Sequence, residues 1–239
     1  MQLRYKAVLF DLDDTLFDHQ FHRRRALQAL KVAAGLPDHI GLGQLETAHE
    51  GHLQRTHVLL LAGKMSLDQA RSERLRATLG DCGRQVHGDE MPAFELAYRS
   101  AYEQGWQAVP GAIALVDALR EAGARIGVVT NGRAQDQYPK LDRISLRARV
   151  DFVVVSQEVG CEKPSREFFA LAATRARADF HECVVVGDLW NTDIAGALGC
   201  GMGAVWLNRY ERPSGRDARV AEIRSFTPLD SVLRHFSLN

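Results

Sequence analysis

Residues 11–15 read Asp-Leu-Asp-Asp-Thr and follow the apolar run Ala7-Val8-Leu9-Phe10. Asp11 and Asp13 stand at i and i+2, on one side of an extended chain. Like charges held that close oppose each other's ionisation. A helix cap needs one such carboxylate, not two. Farther along, Thr130-Asn131-Gly132 and Gly187-Asp188, with Asp193 five residues on, again follow apolar runs, and Lys163-Pro164 comes beyond the run 151–156, just ahead of a helical pattern. Taken singly, these are a turn, a surface lysine and helix caps. Taken together they describe one chemistry. The hard carboxylate oxygens of Asp11, Asp13 and Asp188 suit Mg²⁺, with water completing its shell. Lys163 and the backbone N–H groups around Thr130, Asn131 and Gly132 suit an anion. A divalent cation beside an anion cradle is a phosphate site.

Such a site needs a scaffold that brings four distant segments to one place. Five short runs rich in valine read as strands: 6–10, 125–130, 151–156, 183–187 and 203–208. Their middles are continuously apolar, the pattern of strands covered on both faces in a parallel sheet. Helical patterns at 110–123, 164–178 and 191–199 alternate with them, and the tail from Ile223 adds a small edge strand and a last helix. In an open parallel sheet ligands bind at the carboxyl ends of the strands, which is where each polar group falls. One interval is too long. A strand–helix–strand unit takes about 30 residues, whereas more than a hundred separate Phe10 from Arg125. The surplus has no valine-rich run, and Phe21, Leu27, Leu30 and Ala34 recur at helical spacing. The expected architecture is α/β: a Rossmann-like parallel sheet core in three αβα layers, residues 1–17 and 107–239, with a helical domain, 18–106, inserted after the first strand.

Bulk properties narrow the partners. Thirty basic and thirty acidic residues cancel, so neither a nucleic acid polymer nor an anionic membrane is expected as partner. No apolar stretch reaches the roughly 20 residues that span a bilayer, and the first residues lack a signal-peptide layout. No two of the four cysteines have CxxC spacing. Reduced thiols in the cytoplasm are the expectation. Gly199, Gly201 and Gly203 are spaced like a dinucleotide loop but follow a helix and precede a strand, the reverse of the required order. His49 and His52 lie three apart on a helix without a third ligand and read as a surface pair.

The four polar segments resemble the four motifs of the haloacid dehalogenase superfamily, in its phosphatase branch. "DLDDT" is similar to its DxDxT motif, "VVTNG" to the strand ending in Thr or Ser, "KP" to the lysine motif and "GDLWNTD" to the acidic motif. The helical insertion corresponds to a C1-type cap. The resemblance implies a Mg²⁺-dependent phosphatase acting on a small phosphorylated metabolite through an aspartyl-phosphate. Asp11 would be the nucleophile and Asp13 the general acid and base. Asp11, Asp188 and the backbone carbonyl of Asp13 would hold Mg²⁺, and Thr130, the Asn131 N–H and Lys163 the phosphate. Asp193 and Thr15 would support them, Asp193 by holding a metal-bound water or orienting Lys163 and Thr15 by anchoring the loop. Asp14 and Asp18 would shape the turn toward the cap, where Phe17, His19, His22 and Arg23 are candidates for specificity. 5′-Nucleotides, phosphoglycolate and sugar phosphates are the substrate classes implied. A 2-haloacid dehalogenase, a phosphomutase and a non-catalytic phosphate-binding module are the alternatives. Asp13 argues against the first, which needs no acid there.

Overall fold

All five valine-rich runs are strands in the computed structural model, which describes residues 2–213 and 217–238. They are β1 (Ala7–Phe10), β2 (Arg125–Thr130), β3 (Phe152–Val155), β4 (Cys183–Gly187) and β5 (Gly203–Leu207). A short β6 (Ala221–Ile223) completes one six-stranded sheet in the order β3-β2-β1-β4-β5-β6. Every pairing is parallel.

The helices are α1 (His19–Ala33), α2 (Leu42–Leu61), α3 (Leu67–Asp81), α4 (Met91–Glu103), α5 (Ala112–Glu121), α6 (Ala134–Arg143), the single turn α7 (Ser156–Val159), α8 (Arg166–Ala176), α9 (Ala195–Cys200) and α10 (Leu229–Leu233). The chain divides into two compact units, Met1–Asp18 with Trp106–Asn239, and His19–Gly105.

The first unit is built around the sheet. Alternate residues of a strand point to opposite faces, and here both sets are buried. Ala7, Leu9, Val185 and Trp206 join Phe168, Phe169 and Ala172 of α8 and Ala197 of α9 in one core. Val8, Phe10, Val184 and Val186 point the other way and are buried too. On β2 rests α5, which buries Leu115, Val116 and Leu119. Helices flank the sheet, in the three-layer α/β arrangement. Ser165 starts α8 by accepting the Phe168 N–H at 3.3 Å, a cap worth about 1 kcal/mol.

The second unit is helical. Its core joins Leu27 and Leu30 of α1, Leu45 of α2, Leu75 and Leu79 of α3, and Met91 and Phe94 of α4. Ser66 opens α3 with a reciprocal capping box to Gln69, at 3.2 and 2.8 Å. Phe21 is 41% exposed and lies outside that core, because the buried stripe of α1 runs through His22, Ala26, Leu27 and Leu30. The surface reading of His49 and His52 is also overturned. Both are buried, and His52 pairs with Asp81 at 2.7 Å.

Candidate active site

Strand order places the site. The chain builds outward from β1 through β2 to β3, then returns to the opposite flank of β1 with β4. That reversal opens a crevice at the carboxyl ends of β1 and β4. Phe10 and Val186 are register partners, so Asp11 and Gly187-Asp188 leave the sheet side by side. The Asp11 N–H donates to the Val186 carbonyl at 2.9 Å, locking the first residue beyond β1 to the neighbouring strand.

The structure brings Asp11, Lys163, Asp188 and Asp193 together and buries all four. Lys163 Nζ donates to Asp11 Oδ1 at 2.5 Å and to Asp193 Oδ1 at 2.7 Å. The second oxygen of Asp193 accepts the Leu189 N–H at 3.0 Å. One oxygen from each of Asp11, Asp188 and Asp193 lies within 4.8 Å of the others. Since both oxygens of Asp193 already serve protein donors, its geometry suits orienting Lys163 better than direct ligation. Gly187 makes this approach possible. A Cβ there would fall 2.5 Å from the Asp193 side chain, closer than any real contact.

Asp13 lies to one side. Lys140 Nζ reaches its two oxygens at 2.6 and 2.8 Å, and Gln137 Nε2 donates to Oδ2 at 3.1 Å. Gln137 Nε2 also donates to Thr130 Oγ1 at 2.6 Å, so one amide joins the acid after β1 to the hydroxyl ending β2. Both Lys140 and Gln137 come from α6 and are buried. Sequence reasoning found neither.

Asn131 has a second task beyond its backbone. Its side chain accepts the Lys163 N–H at 2.9 Å and donates to the Lys163 carbonyl at 3.0 Å. This two-point clamp fixes the lysine loop to the end of β2. Thr15 does not anchor its loop through its hydroxyl, which is buried without a hydrogen-bond partner. Backbone bonds do that work. Leu16 and Phe17 both donate to the Leu12 carbonyl, at 2.9 and 2.8 Å, and Asp14 donates to the Phe17 carbonyl at 2.8 Å. Asp14 turns the chain in a left-handed conformation, φ 61°. Asp18 closes the turn in a bidentate pair with Arg209, at 3.0 and 3.1 Å.

Electrostatically the crevice is short of positive charge. Burial pushes the Asp11 carboxyl up to about 7, against the opposing pull of Lys163 and with Asp193 adding to the rise. Burial also raises Asp188, with Asp11 and Asp193 next in effect, although Arg212 donates to it at 2.8 Å. Lys163 stays charged: burial works against its ammonium, but Asp11 and Asp193 more than offset this and raise its pKa. Two buried carboxylates that cannot comfortably ionise, with hard oxygens converging, fit a small divalent cation. Asp11 and Asp188 would hold it.

Residues 5–201 match the family described as haloacid dehalogenase-like hydrolase. The chain is 30% identical over 213 residues to the HAD-hydrolase YfnB of Bacillus subtilis (strain 168), covering 88% of this chain and 87% of that one. A magnesium-bound crystal structure of YfnB superposes with a TM-score of 0.75 at 27% identity, over 96% of this chain and 99% of that chain. The ribulose-1,5-bisphosphate 5-phosphatase of Halopiger xanaduensis is 31% identical, covering 89% of this chain and 88% of its own. The glyceraldehyde 3-phosphate phosphatase of Methanothermobacter thermautotrophicus is 32% identical, covering 89% of each.

Proposed function

The chain belongs to the haloacid dehalogenase-like hydrolases and is an enzyme of the phosphoric monoester hydrolase type; from that premise we propose that it is a Mg²⁺-dependent phosphatase of small phosphorylated metabolites that works through an aspartyl-phosphate on Asp11. The observation that carries this reading is the buried triad in which Lys163 bridges Asp11 and Asp193 while Asp188 lies within ligand distance.

Each residue then has a role. Asp11 attacks phosphorus through one carboxylate oxygen, forming the acyl-phosphate as the phosphorus–oxygen bond to the departing alcohol breaks. Lys163, fixed by Asp193 and by the Asn131 clamp, offsets the negative charge shared by Asp11 and the phosphoryl oxygens. Thr130 and the Asn131 N–H hold those oxygens from the β2 side. Asp13 gives a proton to the departing alcohol, then takes one from the water that cleaves the acyl-phosphate. Mg²⁺, when bound by Asp11, Asp188 and the Asp13 carbonyl, would neutralise phosphoryl charge. The helical unit His19–Gly105 would serve as the cap that selects the substrate.

Two full-length relatives act on phosphorylated sugars or trioses by name, which favours a phosphorylated carbohydrate or similar small metabolite as substrate. The test is hydrolysis of an aryl phosphate and a panel of phosphorylated metabolites with and without Mg²⁺, with Asp11→Asn as blank. Turnover that needs both Mg²⁺ and Asp11 is expected. Absence of magnesium-dependent turnover above the blank across the whole panel would sink the reading.

A further inference from the structure

We propose that the helical unit holds its own recognition site for a small oxyanion, a carboxylate or phosphate group, with Arg74 of α3 and His49 of α2 as ligands and Tyr98 of α4 as its wall. His49 is 2% exposed, and its Nδ1 is buried with no hydrogen-bond partner. Among the described residues its Nε2 has one long contact, 3.5 Å, to the Tyr98 hydroxyl. Arg74 likewise has a buried Nε without a partner. Buried donors left unsatisfied oppose folding, and two on facing helices are explained if a ligand supplies the missing bonds.

The surroundings specify its charge. After burial, the influences on His49 are the cations Arg74 and Arg23 and the histidines His19 and His52, and together they push its pKa down to about 3. No carboxylate figures among them. Arg23 is held by Glu50 at 2.7 Å, and Glu50 also acts on Arg74, whose own pKa burial lowers. Tyr98 feels Arg74, Arg23 and Arg71 together. Glu50, the acidic group that acts on Arg74, is already engaged by Arg23, and Asp81 is engaged by His52.

The shape is aromatic. The His49 ring stacks on Tyr98 with centroids 5.8 Å apart, and Tyr98 stacks on Tyr102 at 6.5 Å. His19 Nδ1 lies 2.7 Å from the Tyr102 hydroxyl, which ties the far end of that wall to α1. A planar or tetrahedral oxyanion matches a guanidinium fork while also accepting from an imidazole N–H.

The experiment follows the ring carbon–proton signal of His49 in the full chain, assigned by its loss in His49→Gln, during titration with malonate and with inorganic phosphate. A saturable shift is expected, half complete at an anion concentration on the order of 1–10 mM, and weakened about tenfold or more by Arg74→Gln. A His49 signal unmoved by either anion, or one that shifts identically in Arg74→Gln, overturns the proposal. If Arg74→Gln fails to fold, Arg74→Lys keeps the charge and is expected to bind more weakly, and the wild-type titration remains decisive. Kinetics then separate the two sources of the anion, an arm that rests on the phosphatase reading. If the anion is part of the substrate, Arg74→Gln lowers kcat/KM for a phosphomonoester bearing a second anionic group and spares a neutral aryl phosphate. If it is a separate metabolite, malonate alters turnover of the aryl phosphate and that selectivity is unchanged. A responsive His49 in an inactive protein would fault the phosphatase reading and leave the anion site standing.

Discussion

Lys140 directs its ammonium hydrogens at the two oxygens of Asp13 and at Gln137 Oε1, the last at 2.7 Å. All three donors are engaged, so the side chain is a fixed brace for the carboxylate proposed to be the acid and base. Charge-assisted bonds of this kind contribute about 1.5–3 kcal/mol each. Lys140→Met is therefore expected to lower kcat for an alkyl phosphate by about 10–100-fold, and Lys140→Arg to recover part of it. Because the brace acts through Asp13, adding Lys140→Met to Asp13→Asn should cost little more; a fully additive double variant refutes that route. Gly187→Ala tests the opposite side of the crevice. Its methyl would meet Asp193 at 2.5 Å, and overpacking of this kind costs about 1–3 kcal/mol. Denaturant unfolding should register that loss, and turnover should fall as Asp193 is pushed from Lys163. Asp11 and Asp188 were legible in the sequence because each directly follows an apolar run, and a parallel sheet delivers such ends to one rim. Lys163 stands eight residues past β3, beyond the turn α7, and was legible only in company with the other segments. Lys140 and Gln137 follow no such run, so their type and spacing carried no signal.

At the scale of elements, α6 shows why. The segment Ala134–Arg143 is mostly polar and has Pro139 inside it, so neither helical periodicity nor composition marks it as a helix. Pro139, the sixth of its ten residues, removes the N–H that would pair the Gln135 carbonyl. The helix forms in spite of this because Leu141, Gln137 and Lys140 are buried along one face. The strands were readable throughout, since continuous valine runs have few other stable fates. In the helical unit Leu27, Leu30 and Ala34, read at helical spacing, do join the core, whereas its buried polar residues gave no sign of burial. His49 and His52 read as surface residues because histidine at i and i+3 carries no sign of burial, and their tyrosine and arginine neighbours are far away in sequence. Burial of His49 has a consequence for stability. Its folded pKa, about 3, lies below the ordinary value of 6.5. Its neutral form is the one that folds, so its contribution is fully present above about 6.5 and is lost as pH falls toward 3. In buffer free of small carboxylates and phosphate, the melting temperature of wild type should fall more steeply below about pH 6 than that of His49→Phe. Parallel curves for the two proteins would show that His49 does not carry this dependence.

For the whole molecule, equal numbers of acids and bases hide an uneven distribution. Asp11, Asp188 and Asp193 converge where β1 and β4 end, and His22, His49 and His52 are buried in the helical unit. The crevice therefore couples stability to pH and to metal in a way net charge does not reveal. A carboxyl whose folded pKa is raised stabilises the fold when protonated. For Asp11 that contribution is fully present below about 3.8 and is lost as pH rises through about 7. Asp188 is shifted in the same direction. Without a divalent cation, melting of the sheet unit should move to lower temperature between about pH 5 and pH 8. A cation that binds the ionised carboxylates reverses the sign, because it competes with protons for the same oxygens. Mg²⁺ at about a hundred times its Kd should stabilise by about 2.7 kcal/mol, a rise of roughly 5–10 °C for a chain of this size. The rise should be larger at about pH 8 than at about pH 5.5, where protons hold Asp11 and Asp188 neutral. Calorimetry at both pH values, with Asp188→Asn as the variant lacking one ligand, measures it directly. An increment independent of pH, or retained in full by Asp188→Asn, would place the magnesium elsewhere on the protein.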